Sequence, residues 1–179
     1  MNSEPITINV IIYADVYYKF YIFEKFFRTK GLLKIVFFAC FLGAIGILSL
    51  TRDATFLGIV LLIIGLGLPI ANIWGFFNAI KMQIKAFKLE NPTPVYSLSF
   101  SNSPDGIEIT NHGGGDEPLY YEWNNIHGVY RVDGCIYFYV LPNKAFLLPD
   151  NQASVSTDKL WQLFVNLLPA NKLHDKRKK

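Results

Sequence analysis

Residues 35–50 read IVFFACFLGAIGILSL and residues 54–80 read ATFLGIVLLIIGLGLPIANIWGFFNAI, with only Thr51, Arg52 and Asp53 between them. Neither of the two apolar runs contains a charged side chain. A helix of about 20 apolar residues is long enough to cross the hydrocarbon core of a bilayer. The pair therefore predicts a membrane helical hairpin that spans the bilayer at about residues 31–50 and 55–74.

The rest of the 179-residue chain has room for one small domain. We expect an N-terminal strand at 1–14, a helical hairpin with cytoplasmic stalks at 15–91, a β-rich domain at 92–169 and a basic tail at 170–179. No small-residue cleavage motif follows the first run, so this run is expected to stay as a helix. Cys40 and Cys135 are expected at different depths, without a disulfide.

The basic residues are concentrated at the outer ends of the two apolar runs. Only Arg52 lies in the link, beside Asp53. Because basic loops stay in the cytoplasm, this asymmetry predicts that both termini are cytoplasmic. The flanking basic residues are Lys25, Arg28, Lys30, Lys34, Lys81, Lys85 and Lys88.

An aromatic helix, VYYKFYIFEKFFR, precedes the first run, and Asp15 is expected to cap its N-terminus. One interpretation places its rings at the level of the lipid headgroups. The other is a cytoplasmic stalk that packs against the end of the second helix. That second helix is expected to bend or loosen at Pro69 and to end at Asn91, before Pro92.

Small residues recur at four-residue spacing in both apolar runs, which lets helix backbones approach closely. Packing within one hairpin explains the pattern, and self-association into a homo-oligomer is the alternative. Gly58, Gly65 and Asn72 share a face at heptad spacing. The residues predicted to make helix–helix contacts are Ala39, Gly43, Ala71, Gly75 and Ala79.

Alternation with a period of two marks the strands. Ile6, Ile8, Val10 and Ile12 alternate with polar residues, and further strands follow from Val95, separated by turn sequences. A last amphipathic helix, DKLWQLFVNLL, is expected behind a cap at Ser156 or Thr157. The pattern predicts an α+β antiparallel half-barrel that is closed by one C-terminal helix and joined by the N-terminal strand.

The order of several short motifs resembles the YcxB-like family of bacterial membrane proteins, and the likeness covers most of the chain. This resemblance implies a pleckstrin-homology-like (PH-like) domain behind two membrane helices in the inner (plasma) membrane. It implies no catalytic residue set. The matching residues are Gly106 and Ile107, then Trp123, Ile126 and Val129, then Tyr137 and Tyr139, and finally Ala145, Phe146 and Pro149. Of these, Trp123, Ile126, Val129, Phe146 and Pro149 are expected to be core and turn residues.

Catalytic and metal-binding constellations are weak in this sequence. His112 begins a His-Gly-Gly-Gly loop, but no G-x-S-x-G nucleophile elbow accompanies it. The spacing of His112, Asp116, Glu117, Glu122 and His127 fits no metal template. We therefore expect no enzyme, no cofactor and no metal.

The basic C-terminus suggests contact with an anionic membrane surface, and a solubilising tail is the alternative. The predicted membrane-surface residues are Lys81, Lys85, Lys88, Lys176, Arg177, Lys178 and Lys179. The expected partners are the lipid bilayer and an unknown protein, and nucleic acid is not expected. The predicted function is a non-enzymatic module that presents a PH-like domain for protein or lipid binding; the alternative is a membrane immunity protein that neutralises a cognate toxin.

Overall fold

The structure is a computed structural model that describes residues 6–100, 106–112, 117–150, 152 and 156–177. It divides into two units. The β unit takes residues from both ends of the chain, Met1–Val16 and Asn91–Lys179, and the helical unit is Tyr17–Glu90. The chain thus has two long apolar helices and a separate, mainly antiparallel sheet domain, as the sequence predicts.

The described part of the β unit forms two four-stranded sheets. The first has the order β1-β2-β3-β4. Its strands are β1 (Ile6–Ile11), β2 (Pro94–Phe100), β3 (Gly106–Asn111) and β4 (Leu119–Glu122). The second has the order β7-β6-β5-β8. Its strands are β5 (Gly128–Val132), β6 (Cys135–Leu141), β7 (Lys144–Pro149) and β8 (Leu173–Asp175).

The N-terminal strand crosses to the C-terminal sheet. Strand β1 pairs antiparallel with β2, so that Ile8 lies opposite Leu98 and Val10 opposite Tyr96. All four side chains are buried, because alternate residues of a strand share one face. The Gln152 side chain makes the hydrogen bonds of a neighbouring strand at the end of β1. It accepts a hydrogen bond from the Ile11 amide and donates one to the Ile11 carbonyl, each at 2.8 Å.

One core lies between the two sheets and helix α4 (Thr157–Leu167). Ser156 caps this helix by accepting a hydrogen bond from the Lys159 amide at 3.4 Å. Leu160 and Phe164 on the apolar face of the helix are buried, which agrees with the predicted stripe. The largest fully buried side chains of this core include Phe138, Phe164, Ile107, Ile109, Ile126 and Ile136.

Tyr96 joins β2 to β7, which belong to different sheets. Its buried hydroxyl donates to the Leu147 carbonyl at 2.8 Å and accepts from the Leu147 amide at 2.6 Å. The pKa of Tyr96 is raised, chiefly because burial disfavours the phenolate, so the hydroxyl keeps its proton.

Replacing Tyr96 with phenylalanine is expected to cost about 1–2 kcal/mol, because both hydrogen bonds to Leu147 are lost inside the core. Urea unfolding of the full chain in detergent, followed by tryptophan emission, measures this loss. Tyr13→Phe is the control, because Tyr13 is exposed. Equal unfolding midpoints for the two variants would contradict a bridging role for Tyr96.

The apolar part of the chain forms four helical segments. They are α1 (Ala14–Ile22), a π-helical segment (Phe23–Arg28), α2 (Gly31–Thr51) and α3 (Thr55–Ala86). Both expected spans fall inside α2 and α3. Pro69 lies within α3, which continues through it as one helix.

The structure corrects two helix-boundary predictions. Asp15 lies in the first turn of α1, which begins at Ala14, so Asp15 does not precede the helix as a cap. Helix α3 ends at Ala86 rather than Asn91. Lys88 takes a left-handed conformation with φ of 52°, and the Leu89 amide bonds to the Ile84 carbonyl at 3.0 Å. These contacts close the helix before Pro92 and leave Lys88 outside it.

The segment predicted as a basic tail from residue 170 contains secondary structure and belongs to the β unit. Ala170–Lys172 forms a short 3-10 turn and β8 follows it. Strand β8 pairs with β5 in parallel, which departs from the all-antiparallel expectation. The sequence gives little sign of this strand, because it is only three residues long.

Candidate functional site

Glycines lie in the contact between the two long helices. A Cβ atom at Gly58 would lie 2.7 Å from the Leu50 side chain and 2.8 Å from the Gly46 carbonyl oxygen. A Cβ atom at Gly65 would lie 3.0 Å from the Leu42 Cβ atom. Gly46, Gly58 and Gly65 are buried. Close contact between helix backbones needs residues without a side chain at such positions.

The small residues predicted as helix–helix contacts lie mostly elsewhere. Ala71, Gly75 and Ala79 are exposed on α3, and a Cβ atom at Gly75 or Gly43 would meet no atom within 4 Å. Ala39 and Gly43 are half-buried. Gly43 does belong to the contact through its backbone, because a Cβ atom at Gly65 would lie 3.5 Å from the Gly43 nitrogen. The contact therefore uses Gly58 and Gly65, which share a face at heptad spacing, whereas Ala71, Gly75 and Ala79 stay exposed.

The outer surface of the helical unit is apolar. Both α2 and α3 are long and apolar enough to cross a membrane. Phe37 is 72% exposed and Phe56 is 84% exposed. A core helix of a soluble protein buries such side chains, whereas these helices leave them accessible. The exposed apolar surface indicates association with a membrane.

The aromatic segment before α2 packs against the C-terminal half of α3. Tyr18 stacks on Phe77 with ring centroids 6.0 Å apart, and Phe26 meets Phe76 edge-on at 5.5 Å. The Tyr17 hydroxyl donates to the Gln83 side chain at 2.9 Å. These contacts match the stalk interpretation of the aromatic helix. Burial raises the pKa of Tyr17, so its hydroxyl stays protonated as a donor.

The predicted membrane-surface cations have different environments. Lys81 and Lys85 are exposed on α3, and Lys88 is exposed just beyond it. Arg177 pairs with Asp175 at 2.7 Å, and this hydrogen bond lowers the pKa of the carboxyl and raises that of the guanidinium. Much of the Arg177 charge is therefore offset. Lys176 is exposed, and Lys178 and Lys179 lie outside the described residues.

The predicted core residues of the β unit sit in or beside its core. Trp123, Ile126, Val129 and Phe146 are buried. Trp123 opens a 3-10 turn between β4 and β5. Pro149 is half-buried at the end of β7, opposite Cys135. These placements give the residues a packing role.

Arg131 is a buried charge that the sequence analysis does not identify. This β5 residue is 7% exposed, and its guanidinium pairs with the Asp158 carboxylate and lies 5.7 Å from the Trp161 ring. The hydrogen bond from Arg131 lowers the pKa of Asp158, whose side chain is 75% exposed. The alternation of β5 places Arg131 on the same face as Val129, which is the only sequence signal for its burial.

The polar residues compared with metal-site templates form no metal-binding group where the structure describes them. In the described ranges, no three His, Cys, Asp or Glu side chains lie close enough together to hold a metal ion. Asp116 and the glycines that follow His112 lie outside those ranges. The remaining residues of that set are His112, Glu117, Glu122 and His127.

Comparisons with known proteins give no match. No family model matches this sequence, and searches of curated proteins and of solved structures find no similar chain.

Proposed function

We propose that this chain is a two-span protein of the bacterial inner membrane that presents a PH-like domain in the cytoplasm as a non-enzymatic interaction module. The exposed apolar surface of α2 and α3 carries this proposal. Such a surface needs lipid, whereas the β unit buries its own core and has the fold of an independent domain.

The element order supports a PH-like assignment. Among the described residues, seven strands in two sheets are followed by one helix that covers the core, and β8 is an addition to this plan. The resemblance of the motifs from Gly106 to Pro149 to the YcxB-like family points the same way. A domain of this kind acts through its surface, so its partner is a protein or the adjacent lipid headgroups.

The charges support the proposed orientation. Five lysines lie near the ends of α2 and α3 that are opposite the Thr51–Asp53 link. They are Lys25, Lys30, Lys34, Lys81 and Lys85. Such a bias keeps the basic ends in the cytoplasm. The β unit, which is connected to these ends, would then be cytoplasmic as well.

Cysteine labelling tests the location and the orientation together. In a chain with Cys40→Ser and Cys135→Ala, we expect Arg52→Cys to react with an impermeant maleimide in intact spheroplasts. Lys85→Cys is the matched control and should react only after the membrane is permeabilised. The reverse pattern, or extraction of the protein by alkaline carbonate, would contradict the proposal.

Crosslinking in native membranes tests the interaction role. A tagged chain should co-purify with a specific protein or an anionic lipid, and deletion of the residues from Val95 onward should abolish this recovery. Recovery that is unchanged by the deletion would assign the interaction to the helical hairpin instead.

A further inference from the structure

The outer edge of β5 is occupied by the chain's own C-terminal segment. Val129, Tyr130 and Arg131 lie opposite Leu173, His174 and Asp175 in a parallel ladder. The other neighbour of β5 is β6, so this edge would otherwise be the open side of the second sheet. An open sheet edge offers unpaired backbone groups to any extended segment.

Several groups on β5 and in the turn before it make specific contacts with this segment. Gly128 admits the backbone, because a Cβ atom there would lie 3.3 Å from the Lys172 carbonyl oxygen. The Asn124 carbonyl accepts a hydrogen bond from the Lys172 amine at 2.8 Å. The Tyr130 ring stacks on His174 with centroids 4.5 Å apart. The edge therefore recognises side chains as well as the backbone.

The segment continues to contact β5 beyond the ladder. The Lys176 amide donates to the Arg131 carbonyl at 2.8 Å. Leu173 packs against the buried core, and it is half-buried itself. The fit thus extends over five consecutive positions, from Lys172 to Lys176.

The pairing of this segment with β5 is nevertheless weak. It pairs through only three residues at a sheet edge, and parallel pairs are less stable per residue than antiparallel ones. Asp175, Lys176 and Arg177 are exposed. Short, exposed edge elements open at much lower free energy than the strands of a core. Release of this segment from β5 would therefore cost less free energy than unfolding of the domain.

We propose that the β5 edge is a strand-addition site for an extended segment of a partner protein and that residues 172–176 are its resident, displaceable occupant. The partner segment would carry the same chemistry, with a basic residue, an apolar residue, a histidine or aromatic ring, and an acidic residue in that order. This site deepens the proposed function and rests on it for the presence of a protein partner. The resident segment would hold the site closed until such a partner competes for it.

A peptide-binding experiment on the full chain tests this site. In the double variant Leu173→Asp, His174→Asp, the resident segment should detach. A fluorescent peptide with the sequence of residues 170–177, ANKLHDKR, should then bind saturably in detergent, with at least ten-fold higher affinity than it binds the intact chain. The same peptide carrying the two aspartates is the control and should not bind. Absence of saturable binding at millimolar peptide would overturn the proposal.

A third substitution identifies the edge itself. Adding Gly128→Val to the double variant should weaken peptide binding at least ten-fold, because the valine side chain would meet the added backbone. The urea midpoint of this triple variant establishes whether it is folded. Unchanged binding would place the peptide elsewhere on the domain and overturn the assignment to β5.

Hydrogen exchange on the unmodified chain gives a readout that needs no variant. The Lys176 amide, bonded to Arg131, should exchange at least ten-fold faster than the His127 amide, which donates to Tyr139 at 2.9 Å. Equal protection would show that the segment opens only when the domain unfolds. Membrane fractionation distinguishes this proposal from the proposed function. If the chain associates with membranes but the peptide does not bind, only the β5 site is contradicted.

Discussion

Replacing Phe164 with alanine is expected to lower the free energy of unfolding of the β unit by about 3–5 kcal/mol. Phe164 is fully buried, and its ring lies 5.5 Å from that of Phe138, 5.9 Å from Phe100 and 6.3 Å from Trp123. The deletion leaves a cavity where the helix meets both sheets. Small domains are stable by only about 5–15 kcal/mol, so this loss is a large share of the total.

Val165→Ala is the matched control, because Val165 is the next residue of the same helix and is 49% exposed. Its effect should stay within about 0.5 kcal/mol. Urea unfolding of the full chain in detergent, followed by tryptophan emission, compares the two variants. Similar unfolding midpoints for both would contradict the position of Phe164 at the centre of the core.

Replacing Gly58 with valine is expected to separate α2 from α3 and to destabilise the hairpin by about 3 kcal/mol, the upper part of the range for overpacking. The new Cβ atom would meet the Gly46 carbonyl oxygen at 2.8 Å, and backbone cannot move aside as a flexible side chain can. The substitution adds only apolar atoms, so insertion into a membrane should be unaffected.

Gly67→Val supplies the control for this change. It lies in the same helix, and a Cβ atom there would meet nothing within 4 Å. The temperature at which half of the detergent-solubilised chain leaves its monodisperse peak should fall for Gly58→Val and stay unchanged for Gly67→Val. A larger fall for Gly67→Val would place the helix contact on the opposite face of α3.

Local pattern predicts the secondary structure of this chain well. The two apolar runs become α2 and α3, the alternating segments become β1 to β7, and the stripe with its Ser156 cap becomes α4. Each of these signals is contained in a few neighbouring residues, because hydrophobic periodicity follows the geometry of the element itself. Helix ends are less determined, and α3 stops at Ala86 because the left-handed Lys88 closes it.

The candidate sites depend more on contacts between distant residues. By spacing alone, either of two sets of small residues on α3 could make a close helix contact: Ala71, Gly75 and Ala79, or Gly58 and Gly65. In the structure, Gly58 and Gly65 make it. Arg131 reads in the sequence as an ordinary charge on a strand. Its burial depends on Asp158 and Trp161, which follow it by more than twenty residues.

The pair of apolar helices long enough to cross a membrane can be read from the sequence alone, because length and the absence of charge are properties of each segment. The same holds for the alternating strands and for the buried face of α4. Three contacts become visible only in the folded protein: Gly46 meets Gly58, Tyr96 joins the two sheets through Leu147, and Leu173–Asp175 lies along β5. Each of these contacts joins residues whose partners are set by the packing of whole elements, and no local pattern specifies that packing.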